Sequence, residues 1–511
     1  MPHGLSYAKH HKNKLGIACV FAVVLLFVIL PHEVAASATQ SERSGCFMIL
    51  VGKDATADGS VLLAHNNDLT GDEVSLIEKH PRAVHEEGAT ITFPSGLVIP
   101  QARETYEWLV MRIADGYAEG DAVAINEYQV AIAGGVALER DRNNRARQVD
   151  PLIKEGLTGG VRYVALQRAK TARECVEIVG ELYSTYGVTY PSGFGVADPN
   201  EIWYVESGGG RTWAAVRIPD DRYWVQANGY RIGTLDVADS ANVMVSKDLL
   251  EFCRTHRLWN PDDGAFCWRD AFGGRYIRTP GKEFYNRRRV WRGMDILSPS
   301  LGLDPAAIVY PGTAVPDAPV TLEQLFDILR DHYGGTRFDG YSAHDETSAG
   351  ERLIASPTCV HTNVIQLRAG MSADVGAVLW AGLGRPFGTA YLPFYFGIDT
   401  IPAQYSITDA AEGAAFHIFK RLSDLMLGDY PRRSTKVIGI WEGVEKRCLE
   451  HQAQLESEAR ELDKKTPGSA GRRLTNYVSV LATEVLSEAN HLIDEMSQNP
   501  TSHDAGSSGH H

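Results

Sequence analysis

Cys46-Phe-Met-Ile-Leu-Val-Gly-Lys-Asp-Ala-Thr-Ala-Asp-Gly-Ser-Val-Leu-Leu-Ala-His-Asn-Asn-Asp68 is the stretch on which the fold turns. Two apolar runs, Cys46–Val51 and Ser60–Ala64, flank a turn at Ala57-Asp58-Gly59. Asp-Gly between such runs is a strong hairpin signal. The pattern recurs at Ala122–Gly134, where Asn126-Glu127 interrupts two apolar runs. A third strand group is read at Ile202–Val205, Trp213–Ile218 and Tyr223–Ala227, and a fourth at Val364–Leu367 and Val375–Trp380. Gly208-Gly209-Gly210 lacks the Lys-Ser/Thr of a phosphate loop and reads as a hairpin turn. Between these groups Thr171 and Glu174 form a capping box ahead of Cys175, Val179 and Leu182, which share one helical face. Leu322–Leu329 and Glu412–Met426 also read as helical. Many hairpins, few helices and no regular βαβ alternation predict an α+β protein with antiparallel sheets.

Outward from this block, the two ends of the chain differ in kind. Lys9, Lys12 and Lys14 precede an uncharged run from Leu15 to Leu30, then Pro31 and the small residues Ala36-Ser37-Ala38. That order predicts a signal peptide over 1–38, because the run falls short of the roughly 20 residues that span a bilayer. A short propeptide over 39–45 would follow, then a catalytic domain over 46–440. Beyond about 440, Val444, Cys448, Leu455 and Leu462 recur at near-helical spacing, and a second helix follows the Pro467-Gly468 break. A helical region over 441–496 is expected, and a polar, Ser/Gly/His-rich tail over 497–511.

The chain carries a formal charge of −14, and its first 38 residues hold three Lys and one Glu, so the exported part would carry −16. An acidic chain without a basic run is a poor ligand for nucleic acid or an anionic membrane. No CxxC pair occurs among the seven cysteines, so neither a zinc site nor a thioredoxin-type motif is indicated. In an oxidising compartment Cys253 with Cys267 is the natural local disulfide.

Cys46 opens the first strand directly after Gly45, a few residues past the expected leader. A thiol at the start of a chain carries a base on its own backbone, since a free α-amine titrates near about 7.7–8.0. Such an amine can take the thiol proton, as in N-terminal threonine nucleophiles. Gly45 presents a carbonyl that no side chain hinders, which opens a route to self-removal of 39–45. A buried or disulfide-bonded cysteine at a strand start is the plain alternative.

The 46–68 block closely resembles the start of the dipeptidase A and secernin family of N-terminal-nucleophile (Ntn) cysteine hydrolases, relatives of choloylglycine hydrolase and penicillin acylase. Further blocks follow in the same order: 125–132, 161–187, 201–206, 213–232, 285–292 and 379–397. The resemblance implies a four-layer αββα sandwich and no metal or organic cofactor. Cys46 would be nucleophile and, through its amine, general base, with Asp68 orienting that amine. Asn228 would supply an oxyanion donor from its side chain and Asn126 one from its backbone, while Arg289 would support the thiolate. Taken alone, Asn126 and Asn228 end strand patterns and read as turn residues, and Arg289 is one of a cluster with Arg287, Arg288 and Arg292. Many relatives carry arginine where this chain has His65. With a reference pKa of about 6.5, His65 could be neutral or cationic, and if it works as a cation activity should fall as pH rises past its pKa.

The implied activity is an exported, periplasmic or extracellular, cysteine-type dipeptidase whose partner is a dipeptide or short peptide. Homo-oligomerisation stays open, and no stable membrane partner is expected after signal cleavage. Two rivals remain at this stage: an acylase on N-acyl amides, and a catalytically silent binding protein on the same fold.

Overall fold

The computed structural model describes residues 45–114, 123–138, 144–273, 286–341 and 352–498. The expected signal peptide, residues 39–44 of the expected propeptide and the tail beyond 498 lie outside the described residues.

Fifteen strands make two large antiparallel sheets. In chain order they are β1 (Phe47–Val51), β2 (Val61–Asp68), β3 (Ser75–His80), β4 (Trp108–Ile113), β5 (Val123–Asn126), β6 (Ala131–Ala137), β7 (Ser192–Ala197) and β8 (Ile202–Ser207). Then come β9 (Trp213–Ile218), β10 (Tyr223–Gln226), β11 (Val243–Val245), β12 (Thr313–Ala314), β13 (Cys359–Leu367), β14 (Ala377–Leu383) and β15 (Leu392–Tyr395). The first sheet runs β12-β10-β1-β2-β13-β14-β15 and the second β11-β9-β8-β7-β6-β5-β4-β3. The hairpin read from Asp58-Gly59 therefore forms the middle of the first sheet, and β2 extends past Ala64 to Asp68. An α+β architecture with antiparallel sheets is the observed class.

Period-2 alternation decides which residues lie between the sheets. Met48 and Leu50 of β1 touch Gly195 of β7 in the second sheet, and Tyr204 of β8 meets Trp224 of β10 with ring centroids 4.8 Å apart. Phe47 points the other way, onto Gly293.

Helices α1 (Val161–Leu166) and α2 (Ala172–Tyr186) pack on the second sheet, α3 (Trp268–Phe272) lies against the end of β8, and α4 (Arg287–Leu297) and α5 (Leu322–Leu329) pack on the first sheet. The expected cap of α2 forms, Thr171 Oγ1 accepting from the Glu174 N–H at 3.1 Å, while Glu174 reaches back to the Lys170 N–H at 2.7 Å. Three helices end the chain: α6 (Ala415–Leu427), α7 (Tyr430–Lys465) and α8 (Ser469–Gln498). The expected boundary at 440 falls inside α7, whose Val437, Trp441 and Val444 are buried in the same core as Leu379 and Phe394. The last helix likewise runs through 497 to Gln498.

All six described cysteines are free thiols, so the Cys253–Cys267 bridge is absent. Cys253 is sealed in the core, where burial pushes its thiol up to about 12, while Cys267 is held in an isolated bridge to Thr234.

Candidate active site

Cys46 sits at the head of β1, 2% exposed, and the strand's alternation turns its thiol toward the second sheet. Its Sγ lies 3.4 Å from Asn67 Oδ1 and 3.6 Å from the Gly135 carbonyl. The thiol therefore rests between β2 and the opposing strand β6.

On the helix side of the same sheet a buried charged cluster closes around the Gly45–Cys46 peptide. Arg352 Nη2 donates to Gly45 O at 2.8 Å, and Arg289 Nη1 to Cys46 O at 3.1 Å. Gly45 N–H donates to Asp68 O at 2.9 Å. The Asp68 carboxylate lies 3.3 Å from Arg352 and 3.4 Å from Arg289, and accepts the Cys359 thiol at 2.6 Å. Burial raises the Asp68 pKa, with Arg352 and Arg289 pulling against it. Burial and Asp68 together push Cys359 well above its ordinary value, so it serves Asp68 as a neutral donor.

Arg289 Nη2 also donates to Asn228 Oδ1 and Asn286 Oδ1, each at 2.8 Å. A guanidinium only donates, so the atom of Asn228 facing it must be the oxygen, which leaves the NH2 as that side chain's donor. Gly45 is required by close approach: a Cβ there would stand 2.2 Å from Asn228 Oδ1.

Between the sheets, His65 and Asn67 of β2 share a face, opposite Asn363 and His361 of β13. His361 Nδ1 pairs with Ser75 Oγ at 2.9 Å. Across from them β6 is bulged at Gly134-Gly135, where the register with β7 shifts. Gly134 has φ +52°, and a Cβ on it would stand 2.2 Å from His65 Nε2. On the far side of the bulge Arg162 of α1 donates to Gly134 O.

Of the two forms open to His65, this setting favours the neutral one. Burial, with His361 and Arg162 nearby, holds its pKa well below 6.5, so the ring is neutral at neutral pH. The nearby guanidinium is on Arg162, which approaches from a different element.

Cys46, Asp68, Asn228 and Arg289 are thus brought into one network. Asn126 is not part of it. Its amide donates to Leu166 O at 2.7 Å and Ala169 O at 2.8 Å, and its oxygen accepts from the Tyr128 and Val130 N–H groups. Its backbone N–H is bonded to Val130 O at 2.8 Å. Those donors close the β5–β6 turn and anchor α1, which is the turn role its position in the pattern suggests.

Sequence reasoning missed Asn67, Asn286, Cys359 and Arg352. Asn67 was visible inside the deciding stretch, one residue from Asp68. Arg352 had no local signal, since it reaches Gly45 across 307 positions.

Residues 45–443 match peptidase family C69. The chain is 30% identical over 376 residues to a probable dipeptidase of Latilactobacillus sakei, covering 71% of this chain and 76% of that protein. It is 30% identical over 363 residues to a probable dipeptidase of Salmonella dublin, covering 69% and 81%. It is also 27% identical over 465 residues to dipeptidase A of Lactobacillus helveticus, covering 88% and 94%.

Proposed function

Because the chain belongs to peptidase family C69, we propose that it is an exported cysteine dipeptidase, which removes its own residues 39–45 and then hydrolyses dipeptides through a Cys46 thioester. The observation that carries this reading is the convergence of Arg352, Arg289 and Asp68 on the Gly45–Cys46 peptide, with the Cys46 thiol on its inner side. The sheets and covering helices fit the four-layer sandwich of Ntn hydrolases, which presents a nucleophile at a strand head.

In the precursor the Cys46 thiol adds to the Gly45 carbonyl carbon, the Gly45–Cys46 C–N bond breaks, and the thiol proton ends on the departing amine. Water then hydrolyses the Gly45 thioester and restores the thiol. Arg352, 2.8 Å from Gly45 O, stabilises the charge that develops there. The freed α-amine titrates near about 7.7–8.0, so it accepts the thiol proton in each later turnover. The thiolate attacks the dipeptide carbonyl, the amine returns the proton to the leaving amino group, and water resolves the acyl-enzyme.

Asn228 offers its NH2 to the oxyanion while Arg289 holds its oxygen. With the Asn126 donors committed elsewhere, the backbone N–H groups of Gly134 and Gly135 in the bulge are the proposed second donor, because the register of β6 with β7 skips both.

The test is the intact mass and N-terminal sequence of protein from the exported fraction, beside Cys46→Ala. Wild type should begin at Cys46 and hydrolyse a dipeptide panel, while the variant retains residues up to Gly45 and is inert. A wild type that keeps Gly45 removes the α-amine mechanism.

A further inference from the structure

Glu206, next to last in β8, lies on the face turned toward the first sheet, following Ile202 and Tyr204 on that face, and it is fully buried. Its Oε1 accepts from the Arg231 N–H at 2.7 Å and the Ile232 N–H at 3.4 Å, and its Oε2 accepts from the Trp268 indole at 2.9 Å. Two of these donors belong to the loop that leaves β10 and carries Asn228.

Among the described residues, the ladder between β10 and β1 ends at Gln226. Other bonds tie the loop as well: Arg289 Nη2 to Asn228 Oδ1 at 2.8 Å, Asn286 Nδ2 to Asn228 O at 2.7 Å, Gln226 Nε2 to Gly229 O at 2.7 Å, Tyr230 Oη to Ser207 O at 3.0 Å and Gly208 O at 3.2 Å, and Arg231 Nη2 to Pro311 O at 2.7 Å and Gly312 O at 3.3 Å. The start of α3 adds the Trp268 N–H to Gly233 O at 2.9 Å and the Arg269 N–H to Ile232 O at 3.0 Å. The carboxylate of Glu206 thus grips the backbone three and four residues after Asn228, with charge-assisted bonds that are about twice as strong as neutral ones.

We propose that Glu206 is a positioning residue: its carboxylate fixes the 228–232 loop, and through it the Asn228 amide, against Cys46. The assignment rests on the proposed role of Asn228. A donor misplaced by about 1 Å can cost about a hundredfold in rate, so a loop without its carboxylate anchor loses turnover before it loses binding.

The same group makes the anchor sensitive to pH. Burial raises Glu206 to about 7, against the Arg231, Ile232 and Trp268 donors. The titratable groups facing it are Tyr204 on its own strand and Arg231 and Tyr230 on the loop. Protonation removes an acceptor the loop uses, so activity is lost as pH falls through about 7. Stability moves oppositely: the folded value lies above the unfolded one, so the contribution of this group is lost as pH rises through about 7.

The experiment is a double-mutant cycle on Cys46-initiated protein, with Glu206→Gln, Glu206→Ala, Asn228→Ala and the Glu206→Ala/Asn228→Ala pair, reading kcat and KM for a dipeptide. Thermal melts confirm that each is folded, and the near-isosteric Gln variant covers the case in which Ala fails to fold. Glu206→Ala should lower kcat about a hundredfold and Glu206→Gln about tenfold, with KM within about twofold. The pair should lose far less than the product of the single losses. In wild type the acid limb of log kcat should become steeper than a slope of one around pH 7, from the α-amine and Glu206 together, and Glu206→Gln should return it to one. Multiplicative losses, or a slope that Glu206→Gln leaves unchanged, overturn the proposal. On the precursor forms of the same variants, which still carry Gly45, the rate of cleavage at Gly45–Cys46, followed by mass, gives a second reading of the cycle. If no dipeptide is hydrolysed while that rate shows the same non-additivity, the dipeptidase reading falls and the positioning role stands.

Discussion

Two buried arginine–carboxylate clusters use the same chemistry for different ends. Arg330 and Glu445 meet in a bidentate pair at 2.9 and 2.5 Å, and every further bond turns inward. Arg330 donates to Pro386 O and Thr389 O, and Glu445 accepts from the Tyr391 N–H at 2.8 Å. Around Asp68, by contrast, the guanidinium groups stand off at 3.3 and 3.4 Å and spend their closer bonds on Gly45 O, Cys46 O and Asn228. The first cluster closes on itself and fastens α7 to the sheet. The second keeps its donors aimed at a peptide bond, so short ion-pair geometry marks a fastening here and long geometry marks a site.

The strongest way to break that comparison is to remove the fastening. Glu445→Ala leaves Arg330 charged and buried, and should cost about 3–5 kcal/mol of stability. Chemical denaturation would measure it, while kcat of the folded protein at low temperature should stay within about twofold of wild type. A large loss of kcat without loss of stability would mean that the two clusters are coupled.

Asn228→Ala is the reciprocal change on the site. Removing one oxyanion donor should cost about 2.7–4 kcal/mol in activation free energy. Steady-state kinetics would show this as a fall in kcat, with a smaller change in the denaturation midpoint than Glu445→Ala gives. Equal effects on both readouts would make Asn228 a structural residue.

The smallest effect sharpens the contrast from the pH side. His361, on β13 opposite Asn67 of β2, is held by burial down to about 3. Between about 6.5 and that value the unfolded chain takes up a proton that the folded ring refuses, so acidification favours unfolding by up to about 1.4 kcal/mol per pH unit. His361→Gln should flatten this slope in urea melts taken from pH 6 to 4. An unchanged slope would place the acid sensitivity on other groups.

Much of the fold was legible because its signals are local. Asp58-Gly59 between apolar runs located the central hairpin, and Thr171 with Glu174 located the start of α2. Element ends were less legible. β2 continues through the polar run His65–Asp68, which alternation alone does not mark as strand, because those side chains are buried by partners from β13, α4 and β6. Near 440 the composition shifts along α7 although its buried stripe continues.

Within the site, Cys46, Asp68, Asn228 and Arg289 were all named from the sequence. Asn126 was assigned there too, but its donors are spent on a turn and on α1, a distinction that depends on hydrogen-bond partners some 40 positions away.

The sequence by itself determined the strand and helix periods, the thiol behind Gly45 at a strand head and the family to which these belong, because period, spacing and residue order are properties of the chain. Only the tertiary structure decided that His65 is neutral, that Arg352 and Cys359 join the site, that Cys253 and Cys267 stay apart and that Glu206 holds the Asn228 loop. Charge state and hydrogen bonding depend on what lies across a packed interface, and neighbours there come from distant positions that no local pattern specifies.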